Sequence, residues 1–257
     1  MVAAPTPLSP APQGPIPLAG VAGAFGIGAR SHIALVGGGG KSTLLHALGS
    51  QVDGSVVLTC TTKMGADQHL GRRVLIDPTD DEVVEAAASE PVMVWSSVDG
   101  SKAIGVDPAR CDAWFRDVDH VVVEADGSRR RPFKAPAAYE PIVPSTATIV
   151  ISVIGADALG RVIADQCHRP LRVAALVGRR ADVRLEPWMA ATVILHERGA
   201  AKAVPTGAEL AVAINKVDAG NVDMVEQLVG ELLARRPALR VVTISARNHH
   251  VAETPNV

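Results

Sequence analysis

HIALVGGGGKSTLLHAL, residues 32–48, restricts the fold more than any other stretch of the chain. A β-branched apolar run passes through four glycines and emerges as an amphipathic helix. Such a unit must bury its helix against a sheet, and a further parallel strand needs a crossover, so it selects an α/β layer architecture. The Lys41-Ser42-Thr43 triplet adds chemistry. Glycines after a strand let backbone N–H groups curl around phosphate oxygens, and the helix behind them contributes its positive end. On that basis the backbone of Gly38, Gly39, Gly40, Lys41, Ser42 and Thr43 is expected to hold phosphates. Lys41 would reach the β and γ positions, and the Ser42 hydroxyl would take Mg2+.

The usual phosphate loop, G-x-x-x-x-G-K-S/T, has a glycine where this chain has Leu35. Two variants accommodate the difference. Against G-K-G-G-x-G-K-S/T, Leu35 and Val36 replace the leading glycine and its lysine. The form G-T-N-G-K-T-S/T, found in amide-forming ligases, also has a short glycine arm. The loop is expected to work as a divergent member of its class.

The rest of the chain keeps the alternation. Strands are expected at 32–37, 55–62, 74–77, 92–95, 120–126, 147–155, 210–218 and 239–247. Helices are expected from about Gly40 and at 79–90, 108–118, 157–166, 169–178, 186–198 and 222–236. Together they predict a P-loop NTPase-like three-layer α/β/α fold with a mostly parallel sheet. The chain is expected to divide into a disordered Pro/Ala-rich leader (1–20), one P-loop nucleotide-binding domain (21–250) and a short flexible tail (251–257). Ligands of such folds bind beyond the carboxyl ends of the strands. Residues 37–42, 61–63, 124–126, 215–218 and 245–247 all fall at such ends and are expected to converge.

Composition removes several classes of function. A net charge of −2 gives no pull toward nucleic acid or membrane, and 3% aromatic residues are too few for a stacking platform. Cys60, Cys111 and Cys167 form no C-x-x-C pair, which suits a reducing, cytoplasmic setting. There is no apolar run long enough to span a bilayer, and no signal-peptide pattern.

VVVEADGSRRRPFKAP ends a buried-type strand in Glu124 and Asp126. Their i, i+2 spacing points both to one face. One carboxylate, assigned to Asp126 beside Ser42, would hold Mg2+, and either could orient an attacking water. Arg129, Arg130, Arg131 and Lys134 follow and could clamp an anionic substrate, with Arg129, Arg130 and Lys134 the candidates. INKVD, at the end of a strand, matches N-K-x-D, whose aspartate accepts from both guanine N1–H and the 2-amino group. Adenine lacks those donors, and a site built to pair them rejects it. Asp218 would read the base, Asn215 would brace the loop and the Lys216 stem would cover the ring. ISAR, one helix and one strand later, supplies Ser245 and Ala246, which resemble the S-A-K loop that meets guanine O6. Thr62, in LTCTTKM, is placed to reach Mg2+ or the γ phosphate. Tyr139 and Glu140 could shape a substrate pocket, which the sequence alone does not decide, while His168 reads as a loop histidine rather than a metal pair with Cys167 and His249-His250 as solvated tail rather than a metal site.

VGGGGKST, TCTTKM, VEADGSRRRPFKAPAAYEPIVP, GADALG followed by CHRP, and INKVD occur in an order that resembles the YqeC family. Its members are named as accessory factors of selenium-dependent molybdenum hydroxylases. The resemblance covers residues 25 to 247 and implies an NTP-binding protein that matures a molybdenum enzyme or its cofactor. The layout is also similar, more distantly, to metallocentre-assembly GTPases. The expected activity is a Mg2+-dependent nucleoside triphosphatase, GTP favoured over ATP, with a client molybdenum enzyme or cofactor-maturation protein as partner. An ATP-dependent small-molecule kinase or ligase and a non-catalytic nucleotide-sensing scaffold are the alternatives.

Overall fold

Nine strands, parallel at every pairing, form the central sheet of the computed structural model, which describes residues 15–245. In chain order they are β1 (Ile16–Pro17), β2 (Ser31–Gly37), β3 (Val56–Cys60), β4 (Val74–Ile76), β5 (Val92–Trp95), β6 (His120–Glu124), β7 (Ile149–Gly155), β8 (Glu209–Asn215) and β9 (Arg240–Ser245). Across the sheet the order is β1-β9-β8-β7-β2-β6-β3-β5-β4. The strand that opens the glycine run is therefore central, between β7 and β6. Every residue of β2, β3, β6 and β7 is buried, as continuous Val/Ile/Leu runs require when both faces of a sheet are covered.

Register sorts the side chains into layers. Ile33 pairs with Val122 and Ala34 with Val123. Ile33, Leu35 and Val122 face Leu44, Leu45 and Leu48 of α1 (Lys41–Gly49), with Val21 and Phe25 beside them. Ala34, Val36, Val121 and Val123 face the opposite layer. There α2 (Asp80–Ala87) and α3 (Pro108–Asp117) cover one half of the sheet. The other half is covered by α4 (Pro170–Val177), α5 (Pro187–Leu195) and α6 (Val222–Arg235). This is the three-layer α/β fold expected from the sequence.

Helix starts follow local chemistry. Thr79 and Glu82 form a reciprocal capping box on α2. Asp107 caps α3 with Pro108 at its first position, and Asn221 caps α6 through Met224 N. The helix expected at 157–166 is broken. Gly160, at φ +71, separates a 3-10 turn (Ala156–Ala158) from a single α turn (Ile163–Gln166). The backbone between them bonds to the segment before α5 instead, Gly160 N to Leu185 O (2.9 Å) and Ile163 N to Val183 O (3.0 Å). Three short strands were not expected: Lys63–Gly65, Ser97–Asp99 and Lys102–Ile104 form a small antiparallel sheet beyond β3 and β5. The leader reading is corrected from Ile16 onward, because β1 pairs with Ile244 and Ser245 and Leu18–Gly20 forms a 3-10 turn. Proline is tolerated there because β1 is an edge. The tail at 251–257, with Ala246 and His249-His250, lies outside the described residues. Among the described residues no helix is long and apolar enough to cross a membrane.

Candidate functional site

β2 runs unbroken through Gly37 and α1 begins at Lys41, so the intervening turn is short. Leu35 is fully buried inside the strand, paired with Glu124 on one side and Ile151 on the other. It is a core residue under α1, which is why no glycine is needed there. Glycine is needed at 39. Its φ is +83, and a Cβ would lie 2.1 Å from the Gly155 nitrogen. Three N–H groups of the turn face inward: Gly37 N donates to both Asp126 oxygens (3.1 Å each), Gly38 N to Val153 O (2.9 Å) and Gly39 N to Arg131 O (3.2 Å). The first bond of α1 is Leu44 N to Gly40 O (3.0 Å), and no side chain caps its N-terminus. The N–H groups of Lys41, Ser42 and Thr43 therefore lack helical acceptors. They border a cleft of about 830 Å3 that Gly39, Thr62, Lys63, Glu124 and Lys216 also line.

Lys41 is 3% exposed. Its Nζ donates to Gly37 O (2.7 Å) and lies 3.2 Å from Asp126 Oδ1 and 3.6 Å from Glu124 Oε1. Burial works to lower the ammonium pKa, but the two carboxylates outweigh it and hold the value above that of an ordinary lysine. Ser42 Oγ donates to Glu124 Oε2 at 2.8 Å. The carboxylate expected beside Ser42 was Asp126; the one found there is Glu124. Both acids share a face, as their spacing predicted, because both reach Lys41 Nζ.

Lys134 does not line the cleft. It is 2% exposed and bridges Asp126 Oδ2 (3.1 Å) and Glu140 Oε2 (2.7 Å). Arg169 Nη1 and Nη2 grip the two Glu140 oxygens at 2.6 and 3.1 Å, and Nη2 also donates to the Tyr139 hydroxyl (3.2 Å). Burial alone would raise the Glu140 pKa; Lys134 and Arg169 override it and hold the carboxyl below its usual range. Three cations and three carboxylates thus alternate from the glycine turn to the cleft wall, with no net charge. Breaking one member of such a chain strands its partner, which is why it holds this wall in one geometry. Lys134 is positioned by a two-residue parallel pairing, Phe133 with Cys167 and Lys134 with His168. His168 lines the cleft. Burial, then the nearby Arg169 and Lys134, push its pKa down to about 4, so the ring is neutral at pH 7. Arg169 is a cleft residue the sequence reading missed; Glu140 stands there only as an undecided pocket residue, and His168 as a loop histidine. The only signal was the length of the VEADGSRRRPFKAPAAYEP block and its separation from CHRP.

On the other side of the turn, Asn215 Nδ2 donates to Gly39 O (2.9 Å) and its Oδ1 accepts from Lys216 N (2.8 Å). Lys216, at φ +57, lines the cleft and pairs with Asp157 Oδ2 at 3.1 Å. Ser245 Oγ donates to Asp218 Oδ1 at 2.6 Å, so the INKVD and ISAR segments meet. Asp218 and Ser245 are not among the cleft-lining residues. Thr62 lines the cleft, and its Oγ1 is buried without a hydrogen-bond partner. Thr61 Oγ1 is spent on Ile142 O (2.6 Å). Arg129 and Arg130 border the cleft, whereas Arg131 turns away to the carbonyl of Asp165. The cysteines are buried thiols; burial pushes those of Cys60 and Cys167 up to about 12. Among the described residues no three His, Cys, Asp or Glu side chains form a metal cluster. The oxygen donors Ser42 and Glu124, in a cleft that the orphaned Thr62 hydroxyl also lines, suit a hard ion such as Mg2+, which takes few protein ligands and keeps waters and phosphates.

The family model described as YqeC protein matches residues 33–171, which span the glycine turn, the acidic strand end, Lys134, Glu140 and His168. The chain is also 32% identical over 195 residues to Uncharacterized protein YqeC of Escherichia coli (strain K12), covering 72% of this chain and 75% of that one. No solved structure matches it. The matched block holds every cleft-lining residue but Lys216, and by both measures the chain belongs to the YqeC family.

Proposed function

We propose that the cleft is the nucleotide site of a Mg2+-dependent nucleoside triphosphatase that favours GTP over ATP. One observation carries the reading: at the uncapped start of α1, a buried lysine and a serine hydroxyl both converge on Glu124. Phosphate oxygens would accept from the N–H groups of Lys41, Ser42 and Thr43, where the helix end adds favourable potential. Ser42 and Glu124 would hold Mg2+, which when bound neutralises charge on the β and γ oxygens. Asp126 braces the turn in this reading, since Gly37, Lys41 and Lys134 already occupy its oxygens. Lys41 neutralises phosphate charge, and the Thr62 hydroxyl is available to orient a water or phosphate oxygen.

Guanine preference draws support from the Ser245–Asp218 hydrogen bond, which holds the Asp218 carboxylate in place, and from Asn215, which ties the same loop to Gly39. Maturation of a molybdenum hydroxylase, selenium-dependent or not, rests on the family resemblance and makes a client protein the expected stimulator of turnover.

Titration of the protein with fluorescent GDP and ADP in the presence of Mg2+ tests the reading. Wild type is expected to prefer GDP by at least about tenfold, or 1.4 kcal/mol, and Asp218→Asn to erase the preference. Lys41→Ala is expected to lose diphosphate binding. Undiminished binding by Lys41→Ala would end the nucleotide reading. Equal or tighter ADP binding, indifferent to Asp218, would move the activity to an ATP-dependent kinase or ligase.

A further inference from the structure

Arg129 and Arg130 are consecutive residues with φ of +51 and +60. Arg131 N closes the turn on Ser128 O at 3.0 Å. A turn with both central residues at positive φ normally takes Gly, Asn or Asp. Two arginines there are strained, and such strain persists where the surroundings hold it and a function uses it. The turn is seated on the glycine turn, since Arg131 O accepts from Gly39 N. Both arginines line the cleft, and neither has a carboxylate partner among the described residues. The same holds for Lys63 and Lys102 on the small antiparallel sheet, which line it too. The carboxylates of the cleft wall are already matched, Glu124 by Lys41 and Glu140 by Lys134 and Arg169.

Sheet order gives these four cations a direction. β8, which carries the Asn215–Asp218 loop, lies two strands to one side of β2, and β3, which leads to Thr62 and Lys63, lies two strands to the other. A nucleotide with its base toward β8 and its phosphates on α1 ends toward Thr62, so the surplus positive charge lies beyond its last phosphate. We infer that this half of the cleft is a second subsite, which binds a phosphate-bearing small molecule through Arg129 and Arg130, with Lys63 and Lys102 at its rim. Paired guanidinium forks select such a planar or tetrahedral oxyanion over a neutral group. The inference rests on the nucleotide reading for the direction of the bound nucleotide, but the two fail separately.

The probe is inorganic phosphate, titrated at constant ionic strength into protein saturated with Mg2+ and the β,γ-imido analogue of GTP, which fills the γ position. Wild type is expected to bind phosphate. The Arg129→Gly/Arg130→Gly variant relieves the turn, so its melting temperature is expected to rise while phosphate affinity falls at least tenfold. A raised melting temperature with unchanged phosphate affinity would make the turn merely structural and overturn the subsite, as would no phosphate binding by the analogue-saturated wild type. If the analogue itself fails to bind, the nucleotide reading falls. Phosphate is then titrated into the nucleotide-free protein: a tenfold loss in the glycine variant upholds the arginine subsite, and no loss removes it.

Discussion

Three donors converge on the Asp126 carboxylate: the Gly37 N–H, Lys41 Nζ and Lys134 Nζ. A carboxylate satisfied in this way is a brace, whereas its neighbour Glu124 keeps its contact with a serine hydroxyl at the cleft. The sequence marked both as acids on one face, but which one meets Ser42 depends on where the chain goes after the strand. Glycine at 39 is subject to a similar test. Gly39→Ala adds a Cβ against the Gly155 backbone at a φ of +83. The left-handed conformation alone costs a residue with a side chain about 1–2 kcal/mol, and the backbone contact adds to it. Urea denaturation is expected to show a loss of at least about 2 kcal/mol. A loss under about 0.5 kcal/mol would mean that the turn rearranges at little cost.

At the scale of elements, the strands and long helices were legible because each carries its own period and its own caps. Thr79 with Glu82, Asp107 with Pro108, and Asn221 are local signals read within one turn of chain. The pairing of Phe133–Lys134 with Cys167–His168 was not legible, because two residues have no period and their partner lies more than thirty positions away. That small pairing sets Lys134 between Asp126 and Glu140. Lys134→Met keeps the volume of the side chain and removes the charge that bridges Asp126 and Glu140, leaving three buried carboxylates to share two cations, Lys41 and Arg169. A loss of about 3–5 kcal/mol is expected by chemical denaturation, with part of it regained in Lys134→Met/Glu140→Gln. If Lys134→Met is as stable as wild type, the ion chain does not hold the cleft wall.

For the molecule as a whole, the two ends of the sheet carry different chemistry. The carboxyl ends of the strands hold the cleft; the opposite end holds His32, buried at the start of β2 with Nδ1 on Thr146 Oγ1 (2.8 Å) and Nε2 without a partner. Burial lowers its pKa from 6.5 to about 4, against a smaller opposing pull from Asp112. The unfolded chain therefore takes up a proton at a higher pH than the folded one. Stability is expected to fall as pH drops from 6.5 toward 4 and to level off below, with His32 contributing at most about 3 kcal/mol. Denaturation midpoints measured across that window should slope less in His32→Gln than in wild type; equal slopes would remove His32 from the account.

By itself the sequence determined the alternation of strands and helices and the strand ends at which Lys41, Ser42, Glu124 and Asn215 gather. These follow from periods of two and 3.6 and from the rule that parallel strands present their carboxyl ends together. Only the tertiary structure decided that Glu124 meets Ser42 while Asp126 holds Gly37, that Glu140 and Arg169 join the cleft wall, and that Arg129 and Arg130 face the cleft while Arg131 does not. The physical reason is reach. Periodicity and capping act within a few residues, whereas ion pairs and close backbone contacts are selected among groups far apart in the chain, and their partners exist only once the sheet has brought them within about 3 Å of one another.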